Sequence, residues 1–141
     1  MRDAFSRVCV GWHLSTGRSE PLVLSAFEQA VLWRQPQPGL ILHSDRGSQS
    51  SCLALSARLP ELQALGSMSR TGHPDDNAFA ESLLGTVKRE EVSCHSSHSL
   101  QQAQERLTQF FQTSNTIRLH SSLGSCPPLE FEASSQANHG P

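Results

Sequence analysis

Strand-like stretches alternating with helix-like ones predict an α/β fold built on a mostly parallel or mixed sheet. Three observations carry that reading. Val8, Val10 and Trp12 alternate strictly between polar neighbours, as one face of a strand does. Leu22, Val23, Ala26, Phe27, Ala30 and Val31 recur at helical spacing. Leu40-Ile-Leu-His43 is a short apolar run bounded by Gly39 and by a polar cluster, the pattern of a buried strand.

Taken in order, Phe5 to Leu14 reads as the first strand. Ser19-Glu20-Pro21 starts a helix, with a capping hydroxyl and a proline whose fixed φ suits the first turn. That helix runs to Trp33 and is ended by Pro36, Pro38 and Gly39. After the strand at 40–43, Ser48 to Arg58 is helical and stops before Pro60. Ala64 to Met68 is another short strand, and Thr71 to Pro74 a loop of the kind that carries function. Asp76 to about Glu91 forms a helix and Val92 to His98 a polar connector. Ser99 caps a long helix with Leu100, Ala103, Leu107, Phe110 and Phe111 as its apolar stripe. One domain over 1–132 is expected, followed by a disordered polar tail from Ala133 to Pro141.

Composition narrows the function. A net charge of -2 argues against a strongly basic nucleic-acid module. No apolar run approaches a membrane span, and the N-terminus has no signal-peptide pattern. Cys9, Cys52, Cys94 and Cys126 are scattered without a CxxC pair, which favours reduced thiols over a disulfide framework. Cys94-His95-x-x-His98 fits no usual zinc spacing and reads as a solvated loop.

The chemistry lies in two carboxylates with 35 residues between them. Asp45 sits in His43-Ser44-Asp45-Arg46-Gly47-Ser48-Gln49, at the carboxyl end of a strand, where open α/β sheets place their ligands. Glu81 sits in Asp76-Asn77-Ala78-Phe79-Ala80-Glu81, one turn into a helix that Asp75 or Asp76 can cap. A strand-end carboxylate and a helix carboxylate that converge are what a hard divalent cation requires. Two such ions held close together are one way to cleave and join phosphodiesters. His43 could be a ligand or general base, and is read here as a strand-end residue near phosphate.

These frames resemble the integrase core of insertion-sequence transposases, within the DDE recombinase superfamily that includes retroviral integrases. Asp3-Ala-Phe-Ser-Arg-Val-Cys-Val-Gly-Trp12 is similar to the family's second strand and its turn. The segment 43–49 matches that of the second catalytic Asp, and Ser67 to Gly72 with Asp76-Asn77-Ala78 and Glu81-Ser82 that of the catalytic Glu. Lys88 and Glu90 continue the pattern, and Asn115 to Gly124 with Pro128 to Glu132 resemble the family's C-terminal signature.

The resemblance implies an RNase H-like mixed sheet with flanking helices, lacking its first strand. It implies DNA transposition by metal-dependent phosphodiester hydrolysis and strand transfer. Asp45 and Glu81 would be catalytic and hold Mg²⁺ or Mn²⁺ in a two-ion site. Arg46, Arg70, Asn77 and Lys88 would contact DNA, although Arg46 and Lys88 also read as solvated charges and Asn77 as a helix cap. Partners would be transposon-end and target DNA and further copies of the chain, with no membrane, in the bacterial cytoplasm. The family's first catalytic Asp has no counterpart here, and Asp3 reads as a solvated strand-end carboxylate rather than its substitute. Metal binding is therefore expected to be weak or absent, and the chain inactive alone. The alternative is a non-catalytic remnant that binds nucleic acid or pairs with an intact transposase. An exposed edge left by the missing strand is expected to favour association.

Overall fold

The computed structural model describes residues 1–16, 21–45, 49–70 and 78–138. It is an α/β structure with five helices and one short parallel sheet. It divides into two compact units: Met1 with Gly11–Leu84, and Arg2–Val10 with the chain from Gly85 onward.

In the first unit, α1 (Pro21–Arg34) buries Ala26, Phe27 and Ala30, the apolar face expected from their spacing. The segment from Gly11 lies so close to this helix that a Cβ on Gly11 would overlap the Ala26 carbonyl oxygen and press on Ala30. Only glycine permits that approach. The same segment is fixed by Trp12 N–H donating to Gln29 Oε1 at 2.8 Å and by the Met1 ammonium donating to the Gly11 carbonyl.

Strand β1 (Ile41–Ser44) pairs in parallel with β2 (Leu65–Met68), aligning Ile41 with Leu65 and Ser44 with Met68. Between them runs α2 (Gln49–Arg58), followed by a 3₁₀ turn at Pro60–Leu62. Gln63, in the left-handed region at φ 50°, turns the chain back toward β2. Its carbonyl accepts the Gly39 N–H at 2.9 Å, which sets the register just before β1. One face of the pair packs on the core of Phe27, Leu55, Leu59 and Ala64, with Leu40 and Leu42 against it. Gly66 lets Leu59 close on the sheet, since a Cβ there would stand 3.2 Å from Leu59 Cδ1. The Arg58 guanidinium joins α2 to α1 through Glu28 at 2.7 Å and also pairs with Glu61 at 2.6 Å.

In the second unit the chain near the N-terminus is not the strand expected over 5–14. Asp3 Oδ1 accepts the N–H groups of Phe5 and Ser6, both at 2.8 Å, and Arg7 adopts φ 67°. This Asx-type turn folds Arg2 back beside Cys9 in a single antiparallel bridge. Asp3 thus builds a turn. Asn115, buried, substitutes for a neighbouring strand: its Oδ1 accepts Cys9 N–H at 2.8 Å and its Nδ2 donates to Cys9 O at 3.0 Å.

Helix α3 (Ala78–Val87) passes into a π-helical turn over Lys88–Val92 that its sequence did not announce. Ser99 caps α4 (Leu100–Thr116) as expected, its Oγ accepting Gln102 N–H at 3.1 Å while Gln102 Oε1 accepts His98 N–H. Phe110 and Phe111 meet edge to face at 5.4 Å, and the Arg118 guanidinium lies 5.7 Å over Phe110 while pairing with Glu90. In place of a disordered tail from Ala133, α5 (Pro128–Asn138) runs through 133–138. Proline at its first position and the helix-tolerant Glu, Ala and Gln residues support it, and its Phe131 ring rests 5.1 Å from that of Phe5. Residues 139–141 of the expected tail lie outside the described residues.

His120 precedes a 3₁₀ turn at Ser121–Leu123, closed by Gly124 at φ 68° and by the His120–Cys126 bridge. Its Nε2 is buried and has no hydrogen-bond partner among the described residues. Burial, then the positive charges of Arg2, Arg118 and Arg7, hold its imidazole below the ordinary value of 6.5.

Two predictions follow from these contacts. Gly11→Ala destabilises the chain by about 2–3 kcal/mol, because the added methyl meets backbone rather than a yielding side chain; urea midpoints measure this. His120 is easier to protonate unfolded than folded, so the stability present above pH 6.5 is lost as pH falls toward and through its lowered folded value. Replacing His120 with Gln flattens that part of the stability–pH curve in thermal melts.

Candidate functional site

The site is assembled at the carboxyl ends of β1 and β2. Because the strands are parallel, both chains leave the sheet at the same edge, β1 into Asp45 and β2 into Ser69 and Arg70. Ser69 N–H donates to the Ser44 carbonyl at 2.9 Å, so the pairing persists to the residue before Asp45. Alternation puts Ile41, His43 and Asp45 on one face with Leu65, Ser67 and Ser69. Leu42 takes the opposite face, against the core. Asp45 and Arg70 are both exposed. The apolar anchor and the exposed carboxylate therefore follow from a single register, and a one-residue slip would exchange them.

Glu81 lies in the first turn of α3, exposed. A negative side chain there is favoured by the partial positive charge of the helix start. Asp45 and Glu81 belong to the same compact unit. Lys88, also exposed, opens the π-helical turn and falls in the other unit. Arg46 and Asn77 lie outside the described residues.

Models of the integrase core domain match residues 1–74 and 64–128. The chain belongs to the integrase core domain family. It is similar to the transposase for insertion sequence element IS904 of Lactococcus lactis, 40% identical over 131 residues, which are 92% of this chain and 52% of that protein. It is 36% identical over 138 residues to the transposase for IS629 of Shigella sonnei, covering 98% of this chain and 46% of the relative. With the transposase InsF for IS3A of Escherichia coli it shares 35% over 135 residues, 92% and 46% of the two chains. The chain thus spans about half the length of the curated relatives it matches. No solved structure matches it significantly.

Integrase cores are generally dependent on divalent metal, which sets a test for the residues of this one. Among the described residues no three His, Cys, Asp or Glu side chains are grouped to hold an ion. Asp45 and Glu81 alone offer fewer oxygens than two octahedral or larger shells demand. The described donor set therefore does not fit a complete two-ion centre. Near the second candidate cluster, His95 Nδ1 stands 3.8 Å from Glu91, and Cys94 Sγ donates to the Arg89 carbonyl, all as part of an exposed helix end.

Two features of this integrase core were not read from its sequence. His43 is held on both ring nitrogens, by Ser67 Oγ at 3.0 Å and Ser69 Oγ at 3.1 Å. The available signal was Ser67-x-Ser69 at strand spacing beside a strand that ends in His43-Ser44-Asp45. Glu90 is paired with Arg118 by two contacts from the guanidinium, whose hydrogen bond holds the Glu90 carboxyl below the usual range. Both residues belong to segments that carried the family resemblance, but their pairing across 28 positions had no local signature.

Because both site carboxylates are exposed, Asp45→Asn and Glu81→Gln change folding stability by less than about 1 kcal/mol. Urea denaturation of the two variants beside the parent chain checks this.

Proposed function

We propose that this chain is the integrase-core portion of an insertion-sequence transposase, serving DNA transposition by phosphodiester hydrolysis and strand transfer. The observation that carries the reading is the placement of Asp45 at the carboxyl end of a parallel strand and of Glu81 in a helix first turn. Both lie within one unit of a chain matched by integrase core models. Asp45 and Glu81 act as anionic oxygen donors in this proposal. Mg²⁺ or Mn²⁺, where bound, supplies activation of the attacking oxygen and charge neutralisation at the leaving one. With two carboxylates, binding by the isolated chain is weak or absent, and the chain alone does not catalyse.

Arg70, Arg46, Asn77 and Lys88 are assigned to the phosphate backbone. Such contacts fix register and orientation without reading sequence. An overall charge of -2 makes this a local rather than a global attraction, so binding weakens steeply with salt only through those few contacts. DNA ends and target are the partners proposed, with further copies of the chain, and the bacterial cytoplasm is the proposed location. No helix among the described residues is long and apolar enough to cross a membrane.

The test joins this chain to an upstream segment of a transposase relative that supplies the remaining acidic strand. Labelled insertion-sequence ends are then incubated with Mn²⁺. The fusion is expected to form strand-transfer product, the chain alone none, and Asp45→Asn or Glu81→Gln in the fusion is expected to reduce product to background. Product formation that survives both substitutions would overturn the assignment. A fusion that binds the ends but never cleaves them would instead support a non-catalytic remnant.

A further inference from the structure

His43 precedes Asp45 by two residues on the same face of β1, and its ring is held at both nitrogens by hydroxyls from β2. Sequence alone left His43 open as a ligand or general base. The hydrogen-bond pattern argues otherwise, because a ring engaged at both nitrogens offers neither a lone pair to a cation nor a site for a transferred proton. The pattern also orders the hydrogens. Ser69 Oγ directs its hydrogen toward the Ser44 carbonyl, a long contact of 3.5 Å, which leaves its lone pairs for a donor on the imidazole. Nε2 is then the protonated nitrogen, and Nδ1 accepts from Ser67 Oγ.

The clamp acts where the sheet is weakest. Each strand has four residues, and the last backbone bond of the pair, Ser69 N–H to the Ser44 carbonyl, lies beside the exit of Asp45. A side-chain bridge from 43 to 67 and 69 spans that bond and resists fraying of the strand end. Ser69 is buried, so the bridge is anchored on its β2 side.

We propose that His43 is a positioning residue for Asp45: its imidazole, protonated at Nε2, ties the carboxyl end of β1 to that of β2 and fixes the direction in which the Asp45 carboxylate leaves the sheet. The proposal rests on the reading of Asp45 as a site residue. It assigns His43 no contact with DNA, metal or reacting atoms.

The test uses the full chain labelled with ¹⁵N at pH 8, with Mn²⁺ alone as the probe. The hydrogen of the His43 ring is expected on Nε2. In His43→Ala, the Ser69 amide exchanges about five- to tenfold faster, the effect of one or two lost hydrogen bonds. Mn²⁺-induced broadening around residue 45 falls severalfold in the same variant. His43→Gln, whose carboxamide can reach Ser69, restores most of that broadening, which a simple loss of packing would not allow. If His43→Ala fails to fold, Ser67→Ala, which removes one hydroxyl, carries the same expectation at smaller size. A ring hydrogen on Nδ1 overturns the proposal. So does unchanged broadening in His43→Ala where Asp45→Asn abolishes it, and that result leaves the site reading standing. No broadening near residue 45 in the parent chain overturns the site reading, and the positioning role with it.

Discussion

Two four-residue strands held in parallel decide where the acidic side chain at position 45 can go. Leu42 must face the core of Phe27, Leu55, Leu59 and Ala64, and the period of two then obliges His43 and Asp45 to face the other way. The register itself is fixed outside the strands, by the Gly39 N–H on the Gln63 carbonyl at one end and the Ser69 N–H on the Ser44 carbonyl at the other. Parallel strands open onto the same edge, so a loop after β1 and a loop after β2 contribute to one site without either having to be long. The arrangement is economical in residues and correspondingly sensitive, since loss of either end bond would free the segment that carries Asp45.

The same short sheet leaves apolar surface uncovered. Ile41 and Leu65 are cross-strand partners, yet their side chains are 65% and 62% exposed. Parallel sheets are ordinarily covered on both faces. A chain that spans about half of its relatives' length and carries such a pair has surface that a further segment of an integrase core could bury. The second unit meets the corresponding need with polar chemistry. Asn115 satisfies both backbone groups of Cys9, and Asp3 satisfies the turn at Phe5 and Ser6. Each replaces a ladder bond that a neighbouring strand would have made.

Much of this was legible because it was local. The strand ending at Asp45, the start of α1 at Pro21, the stop before Pro60 and the cap at Ser99 each depend on residues within one turn of the feature they set. The misreading of Phe5 to Leu14 has a physical cause. Val8 and Trp12 do alternate with polar neighbours, but the Asp3 side chain and the left-handed Arg7 reverse the chain before a ladder can form. An Asp followed by Phe-Ser was a turn signal that the alternation outweighed. The helix over Ala133–Asn138 was missed because absence of apolar residues was taken for absence of structure, whereas Pro128 nucleates it and Phe131 docks it upstream. The π-helical turn at Lys88 and the Glu90–Arg118 pair depend on tertiary context, which no window of sequence contains.

The central claim is that the side chains at 45 and 81 face each other across one site. The most direct measurement is chemical cross-linking of a variant carrying Asp45→Cys and Glu81→Cys, with Cys9, Cys52, Cys94 and Cys126 changed to Ser. A short bifunctional thiol reagent should join the two positions in most molecules and give an intramolecular bridge that maps to these two peptides. Should both thiols instead react singly, at ordinary rates and without a bridge, the carboxylates of the native chain point apart. The recombinase site described here would then not exist in this protein.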